Sequence, residues 1–314
     1  MRHVASLIFL IFVMLGCVGS NVKDVKIDTN QNATEYLKFE GRSRGIPSLV
    51  AAEIIFPNTN RDSFPLIITQ HGSSRDGGSF HSGRGRTDEM SMRLMKQAPK
   101  RGFAVASIDA FYGTSIKPGD KTKFPKAAEY AIDLKKILQL DTRIDANRIF
   151  YVGFSFGAGQ VLGGYSSNFD FGGTQWRAIS ALEPGCNAVP EPTKRNFPAV
   201  IFKGTESHYY PAACVWYAQE LRKAGNHVEL VMVEGANHFF STNGKITNGL
   251  AFNGCAENPV IISSNGSMKH ADGRATDREK VLAECFTQKA GGGLNRKYLD
   301  AVLDQTLNFF ERYL

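Results

Sequence analysis

The sequence predicts an α/β fold, in which helices cover both faces of a doubly wound, mostly parallel sheet of about eight strands. Short apolar runs alternate along the chain with segments of helical periodicity, which is typical of parallel strands joined by right-handed crossovers. The 314 residues are 42% apolar and 21% charged, so the chain can bury a large core and is not disordered or collagen-like. Such sheets bind ligands at the carboxyl ends of their strands.

Each predicted element depends on a local pattern. Compact apolar runs predict strands at residues 48–56, 65–70, 103–108, 147–152, 177–182, 199–203 and 227–233. Apolar residues at helical spacing predict helices at 87–101, 125–140, 212–224 and 294–314, and a further helix that ends near Tyr165. Thr87 is the expected N-cap of the first helix, and Pro125 opens the second. The inward face of the last helix is marked by Leu299, Val302, Leu303 and Phe310.

The first residues have the pattern of an export signal. Arg2 and His3 precede an apolar run at 4–15 that is too short to span a bilayer. Gly16 before Cys17 resembles a bacterial lipobox, in which the cysteine is lipidated; ordinary secretion with cleavage near residues 19–20 is the alternative. We expect a signal peptide at 1–17, a tether at 18–33, and a periplasmic or cell-envelope lipoprotein held to the membrane by its lipid anchor alone, or otherwise a secreted protein.

The net charge and the cysteine content indicate the partners and the compartment of the protein. Lys and Arg number 37 against 30 Asp and Glu, a net charge of +7, but the excess is spread thinly, so no nucleic-acid partner is expected. Without Cys17, four cysteines remain, an even number suited to an oxidising compartment. We predict the disulfides Cys186–Cys214 and Cys255–Cys285, although the sequence allows three pairings and also free thiols.

A serine in a predicted sharp turn is the strongest candidate nucleophile. Residues 153–157 read Gly-Phe-Ser-Phe-Gly, directly after a predicted strand and before a helix. In this context a G-x-S-x-G motif presents its serine on a strained turn whose neighbours two residues away must be small. A glycine-rich turn that only packs a helix on a strand is the structural alternative to a nucleophilic Ser155.

A histidine after the last predicted strand is the candidate general base. The neutral imidazole of His238 can accept the Ser155 proton and later donate it to a leaving group. His208 is the rival for this role. His71, which ends a strand before Gly72, is more typical of a structural hydrogen bonder.

These segments resemble the α/β-hydrolase fold and, within it, the dienelactone hydrolase-like proteins, over nearly all of residues 34–314, the predicted hydrolase domain. The resemblance is carried by the segments 153–157, 70–73, 108–111, 183–186 and 235–238. It implies an oxyanion hole built from the backbone N–H of Phe156 and of Ser73. The best-known dienelactone hydrolases have a cysteine nucleophile, whereas Ser155 is similar to that of a carboxylesterase.

The acid that orients His238 departs from the family pattern. The family places an aspartate where this chain has Ser207, which cannot orient an imidazolium by charge. Glu183, at the end of the preceding strand, is the preferred replacement, because a buried apolar strand end has no structural use for a lone carboxylate. Glu206 is the alternative acid. A dyad or another carboxylate also remains open.

Residues 241–293 form a long stretch that contains Cys255 and Cys285. We expect this stretch to be either a disulfide-braced excursion beside the active site or a surface excursion.

The sequence has no metal-binding or cofactor-binding motif, so no cofactor is expected. The sequence thus predicts an exported serine hydrolase that cleaves carboxylic esters or lactones, in a small-molecule substrate or an acyl-bearing polymer. A peptidase, a polysaccharide deacetylase and a non-catalytic surface-binding lipoprotein are the alternatives.

Overall fold

The computed structural model describes residues 34–75, 78–238, 253–289 and 296–314, and the backbone of two short strands at 24–26 and 249–251. The predicted signal peptide with Cys17 lies outside the described residues, as does the tether apart from 24–26. The same holds for residues 239–240, and within the predicted excursion at 241–293 for residues 241–248, 252 and 290–293.

The strands of the described residues are β1 (Asp24–Lys26), β2 (Thr34–Ser43), β3 (Ile46–Ile55), β4 (Phe64–Gln70), β5 (Gly78–Ser79), β6 (Arg86–Thr87), β7 (Ala104–Asp109), β8 (Ile144–Phe154), β9 (Ile179–Leu182), β10 (Ala188–Pro190), β11 (Ala199–Gly204), β12 (Val228–Val233), β13 (Gly249–Ala251), β14 (Val260–Ile262), β15 (Met268–His270), β16 (Ala275–Thr276) and β17 (Thr287–Lys289). The α-helices are α1 (Glu89–Gln97), α2 (Ala127–Leu138), α3 (Phe156–Leu162), α4 (Ala212–Lys223), α5 (Arg278–Cys285) and α6 (Arg296–Glu311).

One large sheet organises the chain, in the strand order β1-β2-β3-β7-β4-β8-β9-β11-β12. From β7 to β12 every neighbouring pair is parallel, and β1, β2 and β3 add an antiparallel edge. The predicted fold class, a doubly wound and mostly parallel sheet, is confirmed. The parallel part places the carboxyl ends of β4, β7, β8, β9, β11 and β12 along one edge, where the candidate residues of the sequence lie.

Helices bury both faces of this sheet. Successive residues of β4 alternate between the two cores, with Leu66 and Ile68 in one and Ile67 in the other, as the two-residue period of a strand requires. The first core takes side chains from α2, α3 and α4, and the second from α1 and α6. The predicted inward face of the last helix is confirmed, because all four of its named residues are buried.

Two local features differ from the sequence predictions. The ten-residue strand β2 was not predicted. From Lys38 to Ser43 its residues alternate between exposed and buried, as expected of a strand near a sheet edge. Helix α1 begins at Glu89 rather than at residue 87, and its N-cap is Asp88 rather than Thr87. The Asp88 carboxylate accepts a hydrogen bond from the Ser91 N–H at 2.8 Å, whereas Thr87 ends β6 and bonds Ser107 at 2.9 Å.

The predicted excursion forms a small satellite of the main body. Its strands β14, β15 and β16 join β10 in a four-stranded sheet, and β13 pairs with β17. Cys255 is bonded to Cys285 within it, and Cys186 is bonded to Cys214 in the main body. Two disulfides are typical of a protein that works in a non-reducing compartment. Of the helices in the described ranges, none is long and apolar enough to cross a bilayer.

Candidate active site

The strand-to-helix turn after β8 holds Ser155 in a strained conformation. Its backbone φ of +52° lies in the left-handed region, which a non-glycine residue adopts only at a cost. The turn is tight enough that a Cβ on Gly153 would overlap the carbonyl of Gly157, and one on Gly157 would overlap the carbonyl of Gln70. The small neighbours that the motif predicts are therefore required by backbone contact, and they leave the Ser155 side chain at the carboxyl edge of the sheet.

A chain of hydrogen bonds connects Ser155 to a buried carboxylate. The Ser155 Oγ lies 2.9 Å from Nε2 of His238, and Nδ1 of the same ring lies 3.1 Å from Oε2 of Glu183. A carboxylate can only accept, so Nδ1 carries the ring proton and Nε2 is left to accept one from the serine hydroxyl. The structure therefore brings together the serine, the histidine and the first of the two acids named from the sequence.

The position of Glu183 follows from the sheet topology. Strand β9 lies between β8 and β11, so a residue at its carboxyl end is adjacent to the turn that carries Ser155. The Ser155 N–H donates to the Leu182 carbonyl, and the Glu183 N–H donates to the Phe202 carbonyl, each at 2.9 Å. Glu183 has a φ of +55° and is fully buried. Glu206, the alternative acid, is exposed.

Three further donors hold the Glu183 carboxylate. Lys203 Nζ and the Ser207 hydroxyl each donate to Oε2 at 2.9 Å, and the Gly204 N–H donates to Oε1. Burial alone would raise the pKa of Glu183, but the charge of Lys203 and the bonds to His238 outweigh it and lower the pKa to about 2. Ser207, the position where the resemblance implies an aspartate, thus donates to the Glu183 carboxylate.

The electrostatics of the site favour a neutral His238. Burial lowers the pKa of His238, and the Glu183 carboxylate opposes this without reversing it. Lys203 and Lys121 lower the pKa of the ring further. A neutral imidazole at ordinary pH is the form that can take a proton from a serine hydroxyl.

The loop after β4 lies beside Ser155, as an oxyanion hole requires. A Cβ built on Gly72 would be 3.5 Å from the Ser155 Cβ, and Ser73 is the next residue. The Gly72 N–H donates to Asp88 Oδ2 at 2.6 Å, so it is already used. Phe156 begins α3, and the first N–H groups of a helix have no acceptor within the helix.

His71 fixes this loop rather than reacting. Its Nδ1 lies 2.6 Å from the Gly72 carbonyl, and its Nε2 accepts the Ala110 N–H at 3.0 Å. Both ring nitrogens are therefore used in tying the end of β4 to the end of β7. Burial is the main reason that the pKa of His71 falls to about 4, so the ring stays neutral above that pH.

The rings of His208 and Tyr209 pack against the His238 ring. Their centroids lie 4.9 and 4.7 Å from the centroid of the His238 ring. Lys121 Nζ bonds the Tyr209 hydroxyl at 3.3 Å and lies 5.1 Å from the Phe286 ring. Since Phe286 follows Cys285, the disulfide-braced satellite contacts Lys121, which bonds one of these rings. His208 is buried beside His238 and is not the ring that bonds Ser155.

Lys203 is the functional-site residue that the sequence reasoning missed. It occupies the last position but one of β11, where the residues Ala-Val-Ile-Phe precede it. A charged residue in an otherwise apolar central strand is a signal of a buried partner, because an unpaired buried charge is too costly. The same argument that selected Glu183 would have selected Lys203 as its counterion.

Comparison with solved structures identifies the fold. The chain is similar to a dienelactone hydrolase-like promiscuous phosphotriesterase from metagenomic libraries (12% identity, 89% of this chain and 98% of that chain, TM-score 0.57). It is also similar to a protein described as a dienelactone hydrolase from Klebsiella pneumoniae (14%, 90% and 100%, TM-score 0.54) and to a thermophilic esterase from Thermogutta terrifontis (18%, 66% and 84%, TM-score 0.50). No protein-family model and no curated protein matches the sequence.

This chain therefore has the α/β-hydrolase fold. Within that fold its structural neighbours include dienelactone hydrolase-like proteins and an esterase, as the sequence resemblance predicted. At identities of 12 to 18% these likenesses establish the architecture, and the chemistry has to be argued from the site.

Proposed function

We propose that this protein is a serine hydrolase that cleaves carboxylic esters or lactones through an acyl-enzyme. The observation that carries the proposal is the hydrogen-bond chain from Ser155 through His238 to Glu183, at the edge of the sheet where the fold binds ligands. Serine, imidazole and carboxylate in this order are the arrangement that activates a hydroxyl nucleophile.

In the proposed reaction Ser155 Oγ attacks the ester carbonyl while its proton passes to Nε2 of His238. Backbone N–H groups of Phe156 and Ser73 stabilise the negative oxygen of the tetrahedral intermediate. The intermediate collapses, the bond to the alcohol breaks, and Nε2 returns the proton to the leaving oxygen. Water repeats the sequence on the acyl-serine, which releases the acid and restores the Ser155 hydroxyl. Glu183 accepts the Nδ1 proton of the neutral ring, so that Nε2 is the nitrogen that takes the proton from Ser155.

The other hydrolases share this machinery and differ in the leaving group. A peptidase would expel an amine, and a polysaccharide deacetylase would expel a hydroxyl or amine of the polymer and then release acetate from the acyl-serine. The non-catalytic alternative drew its support from the serine at position 207, where the family has its acid. The buried Glu183 bonded to His238 weighs against that alternative, because it supplies the carboxylate that position 207 lacks.

The test is labelling and turnover. A fluorophosphonate probe, which reacts with activated serine hydroxyls, should label the protein, and p-nitrophenyl esters of graded acyl length should be hydrolysed. Ser155→Ala should lose the label and lower kcat by about 10⁶-fold. Ser166→Ala, which removes a partly exposed hydroxyl that donates to Asn168 Oδ1 at 2.6 Å, is the matched control and should keep both. An unlabelled, inactive wild-type protein that is folded would overturn the proposal.

We also propose that the chain is exported and anchored by lipid at Cys17. The two disulfides support a non-reducing compartment, and the lipobox-like segment before Cys17 supports lipidation. Metabolic labelling with palmitate should mark the wild type and not Cys17→Ala. If neither is labelled but both are secreted, the signal is of the ordinary type.

A further inference from the structure

The buried ammonium group of Lys203 bonds Glu183, the acid of the proposed Ser155–His238–Glu183 triad. Lys203 and Glu183 are both fully buried. The three N–H bonds of Lys203 have three acceptors: Glu183 Oε2 at 2.9 Å, the Ser207 hydroxyl at 3.0 Å and the Pro184 carbonyl at 3.1 Å. This is full satisfaction of an ammonium group, so the pair is built as Lys⁺ and carboxylate. Burial lowers the pKa of Lys203, and the adjacent carboxylate opposes that effect.

The same carboxylate oxygen bonds both Lys203 and His238. Oε2 of Glu183 accepts from Lys203 Nζ, from the Ser207 hydroxyl and from His238 Nδ1. With Lys203 charged, Glu183 ionised and His238 neutral, the buried group has no net charge. Without the lysine charge the same group would carry one negative charge in a site closed to water, which low polarity disfavours strongly.

We propose that Lys203 is a positioning residue that keeps His238 in its proton-accepting form, by supplying inside the protein the positive charge that the Glu183–His238 pair would otherwise take up as a proton. This inference is conditional on the proposed function, since it assigns Lys203 a task in activating Ser155. Lys203 donates to Glu183, Ser207 and Pro184. It acts on the His238 ring through the Glu183 carboxylate and through its own charge.

The other charged and titratable groups that face the pair act in the same direction or not at all. Lys121, on the loop before α2, adds a second positive charge near the His238 ring. His208, on the loop after β11, is kept neutral because burial lowers its pKa to about 3. Tyr209 is neutral as well, because burial raises its pKa to about 12. Lys203 is therefore the charge in direct contact with Glu183, and its removal is the informative change.

The wild-type pH profile is the first test. The acidic limb of kcat/KM reports protonation of the free enzyme's base, and the proposal expects it below pH 6.5, the ordinary value for histidine. A triad carboxylate without a counterion would attract a proton to the ring and move the limb above that value. A wild-type limb above pH 6.5 overturns the proposal.

Two neutral variants make the second test. Lys203→Met removes the charge and the donors, whereas Lys203→Gln removes the charge and keeps an N–H donor. In both, the Glu183–His238 pair should hold one more proton, whichever of the two carries it. The acidic limb should therefore rise by about 1 to 3 pH units, the usual effect of one charge at this distance, with KM for p-nitrophenyl esters unchanged. A limb that stays where it is in the wild type contradicts the proposal.

Lys135→Met is the matched control for losing a buried lysine. Lys135 is also fully buried, and its Nζ donates to the carbonyls of Phe171, at 2.7 Å, and Thr174. It lies in α2, away from Glu183. This variant should be less stable than the wild type and should keep the wild-type acidic limb. A purely structural role for Lys203 would make the two lysine variants behave alike.

An NMR titration of the His238 ring separates this inference from the proposed function. The ring of Lys203→Gln should gain its proton at a higher pH than the ring of the wild type, whether or not any ester is cleaved. If the fluorophosphonate probe never labels Ser155, the proposed function fails on its own evidence. If the probe labels Ser155 and the ring titrates alike in the two proteins, only the role of Lys203 fails.

Discussion

At the scale of single residues, backbone strain marks the site. Four non-glycine residues of the described ranges have a positive φ, and two of them are Ser155 and Glu183. Each follows a strand directly and turns its side chain toward His238. Strained conformations persist where the surroundings enforce them, and they cluster at functional positions. Here the enforcing contacts are the glycines around Ser155 and the strands β8 and β11 on either side of β9.

Substitutions of Glu183 and Glu206 form a matched test of which residue is the acid. Glu183→Gln removes the charge that stabilises the His238 imidazolium and lets the side chain present an N–H to Nδ1, so we expect kcat to fall by about 10⁴-fold. Glu206→Gln changes an exposed residue and should leave kcat as in the wild type. Steady-state kinetics on one p-nitrophenyl ester measure both. A large loss in the Glu206 variant alone would assign the acid to Glu206.

The residues of the site were predictable to different degrees, for physical reasons. Ser155 belongs to a motif whose spacing is fixed by backbone contact, and His238 follows the last strand of the sheet, so local sequence defines both. The choice between Glu183 and Glu206 depends on which way a residue points after its strand and on how deeply it is buried. The apolar strand end favoured Glu183 in the sequence, but the donors that hold its carboxylate, Lys203 and Ser207, come from β11 and the loop after it and meet Glu183 only in the folded sheet.

At the scale of elements, the loop after β4 is held from two sides. Asp88, the N-cap of α1, accepts the Gly72 N–H, and His71 bonds both the Gly72 carbonyl and the Ala110 N–H. The Asp88 carboxylate therefore bonds both the first turn of α1 and the loop after β4.

The central strands and the helices were predictable because their apolar periodicity is strong. Strand β2 was not, because exposed charged residues interrupt its apolar pattern at Lys38, Glu40 and Arg42, although it forms a hairpin with the next strand, β3.

We predict that His71→Asn weakens catalysis without moving its pH dependence. The shorter side chain cannot reach both backbone groups, and each buried group left unsatisfied costs about 1–3 kcal/mol. A loosened loop would misplace the Ser73 N–H, and kcat should fall by up to about 100-fold. His270→Ala removes a buried histidine that bonds the Asn258 carbonyl at 3.0 Å in the satellite, and it should retain kcat. Equal losses in the two variants would refute the role given to His71.

The free energy of unfolding of the wild type should depend on pH through the His71 ring. Burial holds the pKa of His71 near 4 in the folded chain, against 6.5 for an ordinary histidine. Unfolding at pH between these values lets the ring bind a proton, so the free energy of unfolding falls as the pH drops from 6.5 toward 4. Denaturant unfolding at several pH values should show a smaller dependence for His71→Asn than for the wild type.

At the scale of the whole molecule, the chain divides into a body with two large cores and a satellite with a very small one. Cys186 and Cys214 are part of the core beneath α2, α3 and α4. The satellite's buried cluster is Cys255, Val260, Val281 and Cys285, so half of it is the disulfide itself. A cluster of this size buries too little apolar surface to order a chain segment alone, and such units depend on covalent bracing.

Removal of each disulfide should therefore have a different effect on the protein. They close loops of similar length, with sequence separations of 28 and 30 residues, for which chain entropy predicts about 3–4 kcal/mol each. Cys186→Ser/Cys214→Ser should lower the melting temperature of the body, and it should lower kcat because Cys186 lies three residues after Glu183. Cys255→Ser/Cys285→Ser should leave that melting temperature nearly unchanged and open the satellite to limited proteolysis between residues 253 and 289. If both double variants melt alike and are cleaved alike, the satellite is an integral part of the body's core rather than a separately braced unit.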